Sequence, residues 1–419
     1  MGSHRRRLVA VAAITTIIFL IFIASPTNIT GNLIDVSEPP LTVKQVSIHS
    51  KNNAIGKSGD YRILTSIRDT MGFYNAINVE KTGLKIMNPT LLELPRGSRH
   101  DFLVIARMPH VDKEINGIKY ELSRQVAMFA NLTYNDAHRP VLMAGKWFKL
   151  LIQDSVGPEH HCKHQPHMDR YIGPEDMKLF WTRKGAPLLI LTLQVNDENI
   201  CQGMFLIDAR ASVPELVKAI GDQTRQMPPI QFEQLTGLRR QAPAGHEADP
   251  RYQRDKNWAP FQSPFSKDDD ELSFIVEPGR VFRRTTSSEP VEDISVEPES
   301  VVEAPYPPWV ESEETWHSTE KTCVHDIMMT NKNVHQSTPM LILTLCDRGT
   351  CEPQDGNTVM LGMVHRRYDT PSYPYTWYER RIVVYAATSP YKMMSVSKKL
   401  IYHGEADGRY IWTGKTTAS

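Results

Sequence analysis

Apolar residues fall along this chain in short runs bounded by turn residues, without the spacing of an amphipathic helix. FLVIAR (102–107), PLLILTLQV (187–195), LSFIVEP (272–278), PMLILTLC (339–346) and RIVVYAAT (381–388) are rich in branched side chains that suit a pleated sheet. Two of these runs nearly repeat. Pro187 to Gln194 echoes Pro339 to Cys346, and each is followed by a second run carrying Gly-Met, at Gly203-Met204 and Gly362-Met363. A strand, turn, strand unit that recurs along a long chain predicts radial or stacked β repeats. One helix is predicted over 212–227, with Ser212 as its cap and Glu215 three residues on. The pattern predicts a mostly β body, with a propeller ahead of a sandwich.

The N-terminus breaks that pattern. Leu8 to Ala24 carries no charge and follows Arg5, Arg6 and Arg7. This predicts a signal-anchor transmembrane helix over 8–25, a cytosolic tail over 1–7 and a lumenal body. A cleaved signal peptide is the rival, but Ile23-Ala24-Ser25 lacks a small residue at the first position of the usual cleavage site. Residues 26–60 have no sustained periodicity and read as a stem. The body, 61–419, is interrupted over 285–320 by an acidic, proline-rich stretch without Lys or Arg, expected to be a long mobile loop.

Composition narrows the partners. Lys plus Arg equals Asp plus Glu at 48 each, so no overall field draws the protein to nucleic acid, and a charged ligand needs a local site. Asn28-Ile29-Thr30 and Asn131-Leu132-Thr133 are glycosylation acceptors, whereas Asn88-Pro89-Thr90 is spoiled by its proline. In an oxidising lumen four of the five cysteines can pair. Cys346 with Cys351 would staple a hairpin and Cys162 with Cys201 would brace the segment around Tyr171, although spacing alone does not fix connectivity.

In a propeller the innermost strand of each blade lines a central channel, so functional residues are expected at blade-like intervals. NPTLLELP (88–95), Arg107, GPEDMKLFW (173–181), RDKNWAPF (254–261), VHQSTPM (334–340) and ATSPYKMMSVSKKLIYHGE (387–405) have that distribution. In this order they resemble the five-bladed β-propeller enzymes acting on β-mannosides, the β-mannoside phosphorylases and hydrolases. They look closer still to the fungal β-mannosyltransferases, Golgi type II membrane proteins similar to that group. The resemblance rests on Asn88-Pro89, Arg107, Glu175-Asp176, Lys256-Asn257, Thr338-Pro339 and Pro390-Tyr391-Lys392-Met393, and spans 88–405.

The resemblance implies a hexosyltransferase in the Golgi membrane. It would move mannose from a nucleotide sugar, GDP-mannose by resemblance, to a glycan or glycoprotein acceptor of the cell wall, forming a β-linkage. Asp176 would be the acid or base, with Glu175 beside it on the sugar hydroxyls. Arg107, Lys256, Arg366 and Arg367 would hold phosphate, and Trp258 would stack on a pyranose. Asn88, Asn257, His335 and Thr338 would complete the substrate site. Two adjacent carboxylates in a funnel repel, which is expected to raise the pKa of the better-buried one. The alternatives are a lumenal β-mannoside hydrolase or phosphorylase, with Asp369 as its second acid, and an inactive glycan-binding propeller.

The chain departs from the family twice. Met177-Lys178 stands where the glycosidase pattern has Pro-Arg, which counts against phosphorolysis. The family's chains also continue beyond the Tyr402-His403-Gly404 segment to complete the last blade, so that blade is expected to be incomplete. Other motifs give less. The run EHHCKHQPHMD (159–169) matches no zinc-module spacing and Cys162 is wanted for a disulfide, so no protein-held metal is expected, although a divalent ion could accompany the nucleotide sugar. KDDDEL (267–272) reads as a solvated turn. The chain has no phosphate-binding P-loop, dinucleotide-binding glycine fingerprint or Gly-x-Ser-x-Gly elbow.

Overall fold

A computed structural model describes residues 61–64, 77–79 and most of 82–402. It omits 135–139, 153–161, 164, 198–199, 241–244, 246–253, 278–279, 285–290, 294–333, 347–349, 370–375 and 403–419. The expected tail, membrane span and stem, with Asn28, lie outside the described residues, as does Cys323. Among the described residues no helix is long and apolar enough to cross a membrane.

The described body is mostly β. Strand β1 (Tyr61–Leu64) belongs to the last sheet. A first sheet holds β2 (Ile77–Asn78), β3 (Met87–Glu93), β4 (Phe102–Arg107), β7 (Gln125–Tyr134) and β8 (Pro140–Lys149), in the order β2-β8-β7-β4-β3. The intervening hairpin of β5 (Val111–Ile115) and β6 (Ile118–Leu122) joins β9 (Tyr171–Ile172) in a small sheet. The second sheet is a meander of β10 (Glu175–Trp181), β11 (Pro187–Asp197), β12 (Ile200–Asp208) and β13 (Thr236–Leu238). A third meander follows, β14 (Ala259–Phe261), β15 (Leu272–Glu277), β16 (Arg280–Arg284) and β17 (Glu292–Asp293). The fourth sheet holds β18 (Val334–Gln336), β19 (Leu341–Thr344), β20 (Thr358–Asp369), β21 (Thr376–Ala386), β22 (Met393–Val396) and β23 (Lys399–Tyr402).

Three apolar layers join these four sheets in chain order. Leu103 and Ile105 of the first sheet pack with Leu189, Leu191 and Leu193 of the second. Leu188, Ile190 and Leu206 on the other face of the second sheet meet Phe274 and Phe282 of the third. Ala259, Phe261 and Ile275 of the third meet Met360, Val364 and Tyr385 of the fourth. The continuous apolar run of β11 has a direct cause: both of its faces are buried, so no alternation with polar residues is needed. Each fully buried Leu contributes about 2 kcal/mol relative to exposure.

Several expectations need correction. The echoed runs do not occupy equivalent positions: β11 is the second strand of its sheet, whereas Leu341–Thr344 pairs with the same strand as β18 and extends that edge position. What the echo does share is a close approach at each glycine. A Cβ at Gly203 would lie 2.8 Å from Val195, and one at Gly362 would lie 2.6 Å from Met340 Sδ. The single helix over 212–227 is instead α1 (Ala209–Ser212), α2 (Glu215–Ile220) and a 3-10 turn, Gly221–Gln226. Pro214, which lacks an N–H donor, separates α1 from α2, and Asp208 caps α1 in place of Ser212. The stretch 285–320 is not wholly loop, because Val291 is buried and β17 pairs with β16. The last sheet, expected to be incomplete, gains a strand beside β23 in β1, which runs parallel to it from Tyr61↔Lys399 to Leu64↔Tyr402. Disulfides join Cys162 to Cys201 and Cys346 to Cys351.

Candidate functional site

Adjacent residues of a regular strand point to opposite faces, so Glu175 and Asp176 would ordinarily diverge. A bulge in β10 between Glu175 and Lys178, with Asp176 in the left-handed conformation at φ 47°, turns both carboxylates to one point. There the Lys256 amine lies 2.9 Å from Glu175 Oε2 and 2.9 Å from Asp176 Oδ2. The turn leading into β10 is fixed by buried polar side chains. Ser123 Oγ and Gln125 Nε2 donate to the Pro174 carbonyl, and Gln194 Oε1 accepts from the Gly173 N–H. The Leu179 N–H donates to Thr90 Oγ1 at 2.9 Å, tying β10 to β3.

The first sheet brings three more groups. Asn88 also adopts a left-handed conformation, φ 46°, at a bulge in β3, and its Nδ2 donates to Asp176 Oδ1 at 3.3 Å. Asn tolerates this region better than most residues. Arg107, at the end of β4, places Nη1 3.6 Å from Glu175 Oε1 and 3.7 Å from Asp176 Oδ1. His110 Nε2 is 3.6 Å from the same Glu175 oxygen. From the segment before β14, Arg254 is anchored by its Nε to Gln202 Oε1 at 2.6 Å, and its guanidinium lies in the field of Glu175, Asp176 and Arg367. Asn257, at φ 62°, turns the chain between Lys256 and β14.

Deeper in the site, Lys178 is 4% exposed and its Nζ has no hydrogen-bond partner. The fourth sheet sets His335 opposite His365 in register, with their rings 5.8 Å apart. Tyr378 completes the cluster at 5.8 and 5.7 Å from the two rings.

Electrostatics reverse the expectation for the carboxylates. Burial pushes both upward, but Lys256 and Arg107 outweigh it and hold Glu175 and Asp176 well below the usual carboxylate range. Burial also pushes Lys178 down to about 8; Lys256 adds to this and Asp176 opposes it. His335 is pushed down to about 4 by burial, with Lys178, Lys256 and Arg367 adding to the effect against Asp176. The site therefore holds two ionised carboxylates, Glu175 and Asp176, among five basic side chains, Arg107, Lys178, Arg254, Lys256 and Arg367.

Of the sequence-predicted residues, Asn88, Arg107, Glu175, Asp176, Lys256, His335 and Arg367 come together. The rest do not. Trp258 is fully buried, with its ring against Phe274 and Phe282, so no face is left for a pyranose. The Thr338 hydroxyl accepts the Met363 N–H at 3.1 Å and is a strand tie. Alternation along β20 puts Arg366 on the face opposite His365 and Arg367. Asp369 ends β20, paired through its backbone with Thr376, and its side chain lies outside the description. Asn131 is exposed, with its Oδ1 accepting from the Asp101 N–H at 3.1 Å. His110, Lys178, Arg254, His365 and Tyr378 were not predicted as site residues. His110 stands three residues past Arg107 and His365 adjoins Arg366-Arg367, a proximity in sequence that could have singled them out. Among the described residues no group of three or more His, Cys, Asp or Glu side chains is arranged to hold a metal. Both site carboxylates are engaged by Lys256.

No family model matches the chain, and no curated protein matches it. Among solved structures it is similar to an endo-1,4-beta-xylanase from Bacteroides thetaiotaomicron, at 9% identity and a TM-score of 0.31, over 76% of this chain and 98% of that one. A likeness this distant carries no argument about fold or activity.

Proposed function

We propose that this protein is a glycosyltransferase of the β-mannosyltransferase type, moving mannose from a nucleotide-activated α-donor to a glycan hydroxyl with inversion. GDP-mannose is the donor by resemblance. In this reading the four packed sheets are blades of a five-bladed propeller, residues 8–25 anchor the body in the Golgi membrane, and the acceptor is a lumenal glycan. The observation that carries the proposal is the pair of ionised carboxylates set among an excess of basic side chains.

The chemistry runs as a single displacement. The acceptor oxygen forms a bond to the mannose C1 as its proton passes to Asp176, and the bond from C1 to the phosphate oxygen breaks with the electron pair leaving on the diphosphate. Arg107, Arg254, Lys256 and Arg367 offset the charge that develops there. Glu175, fixed by Lys256, offers an acceptor for sugar hydroxyls. A β-mannosidase needs a carboxylic acid that is protonated before the bond breaks. Neither Glu175 nor Asp176 is held in that form, which favours transfer over hydrolysis.

The test is incubation of the purified full chain with GDP-mannose and a mannan acceptor, with the anomeric configuration of the product read by NMR. Transfer of β-linked mannose is the expected outcome. Release of mannose from β-mannosides without any donor would replace the proposal with the hydrolase reading.

A further inference from the structure

Three nitrogen atoms of the site are buried without a hydrogen-bond partner: Arg107 Nε, Lys178 Nζ and His365 Nε2. Buried donors are ordinarily satisfied, and an ammonium ion shielded from water without a partner is strongly disfavoured. Lys178 is the most demanding of the three because Nζ is its single polar atom, whereas other nitrogens of Arg107 reach Glu175, Asp176 and Met87. Asp176 faces it from its own strand, Lys256 from the segment ahead of β14, and His335 and His365 from the fourth sheet, with Arg367 and Arg380 acting on those two histidines. Asp176 is the one carboxylate among these groups, and both its oxygens are already engaged, one by Asn88 and one by Lys256. Lys178 Nζ is thus left without an acceptor, and the one carboxylate that faces it is already shared with Asn88 and Lys256.

We propose that Lys178 receives an oxyanion of the phosphoryl class and takes up a proton as that anion enters, so that binding at this site is coupled to pH. The inference rests on the reading of the site as one that accepts a phosphate-bearing donor. In the free protein burial, opposed by Asp176 and aided by Lys256, leaves the amine with a pKa of about 8, so it is partly neutral just above physiological pH. An incoming anion supplies both the missing acceptor and the compensating charge. The amine then takes a proton from solvent, becomes an ammonium ion and donates to the ligand oxygen. Arginine at this position would be permanently charged and would have no proton to take up.

Sulfate tests this, because it presents phosphoryl-like oxygens and holds a fixed charge across the range of interest. Its binding to the full chain is measured by calorimetry in buffers of differing ionisation heat, with folding of each variant checked by circular dichroism. Affinity is expected to fall roughly tenfold from about pH 7 to about pH 9, with proton uptake increasing over the same range. Lys178→Arg should bind with little change over this range and no proton uptake, and Lys178→Met should lose most binding at about pH 7. Absence of sulfate binding at about pH 7, a flat wild-type profile, or wild-type proton uptake in Lys178→Arg would each overturn the inference. Proton-coupled binding without mannose transfer would uphold it and reject the transferase reading. Transfer with no such coupling would do the reverse.

Discussion

Two buried ionic groups on the second sheet put their charges to different use. Asp208 and Arg210 are matched one to one. Arg210 Nε and Nη2 reach the two Asp208 oxygens at 2.9 and 2.6 Å, Nη1 donates to the Pro228 carbonyl at 2.8 Å, and the Arg210 N–H caps the same carboxylate at 2.8 Å. At the other end of the sheet, Glu175 and Asp176 face five basic side chains and His110; Arg107 and His110 stand off at 3.6–3.7 Å, and three buried nitrogens have no hydrogen-bond partner. A satisfied pair holds structure in place. An unsatisfied, charge-imbalanced group at a strand bulge is costly to the fold, and such a cost is characteristic of a site kept for a ligand.

Breaking the matched pair should have the largest effect on stability. Arg210→Ala leaves Asp208 buried and unpaired, and denaturant titration should show a loss of about 3–5 kcal/mol with transfer per folded molecule unchanged. Trp258→Ala comes next, because it empties the space between Phe274 and Phe282. A loss of about 3–4 kcal/mol is expected without the change in KM that a sugar platform would give.

Lys178→Met should move stability the other way. Its folded pKa, about 8, lies below the ordinary 10.5, so between these values the unfolded chain holds a proton that the folded chain does not. The resulting deficit is complete below about pH 8 and disappears as pH rises to about 10.5. The variant should therefore be more stable than wild type by up to about 3 kcal/mol at neutral pH, with the gap closing as the solution becomes alkaline. Equal stability at both ends would show that the amine is not desolvated. The smallest effect belongs to Cys346→Ser, which opens a loop of sequence separation 5 and should cost about 2 kcal/mol in thermal unfolding.

The β class and the main strands were legible in the sequence because burial on both faces writes a continuous run such as Pro187 to Gln194. The Glu175-Asp176 pair, Arg107 and Lys256 were also legible, as motif fragments in order. The state of the carboxylates was not. Adjacent acids suggest mutual repulsion, and only the folded chain brings Lys256, from 80 residues downstream of Asp176, between them. Trp258 misled for a related reason: a tryptophan beside Lys256-Asn257 reads as part of the site, yet the left-handed turn at Asn257 leads into β14 and the core. The strand β1 was hidden by its short length and by a parallel pairing that spans more than 300 residues.

In the proposed reaction Asp176 takes the acceptor's proton during mannosyl transfer. The most direct measurement is the rate of mannose transfer from GDP-mannose by Asp176→Asn against wild type, with melting temperature recorded on the same preparations. A fall of roughly 10²–10⁴-fold in the rate is expected in a protein that still folds. Transfer near the wild-type rate in the folded variant would contradict it.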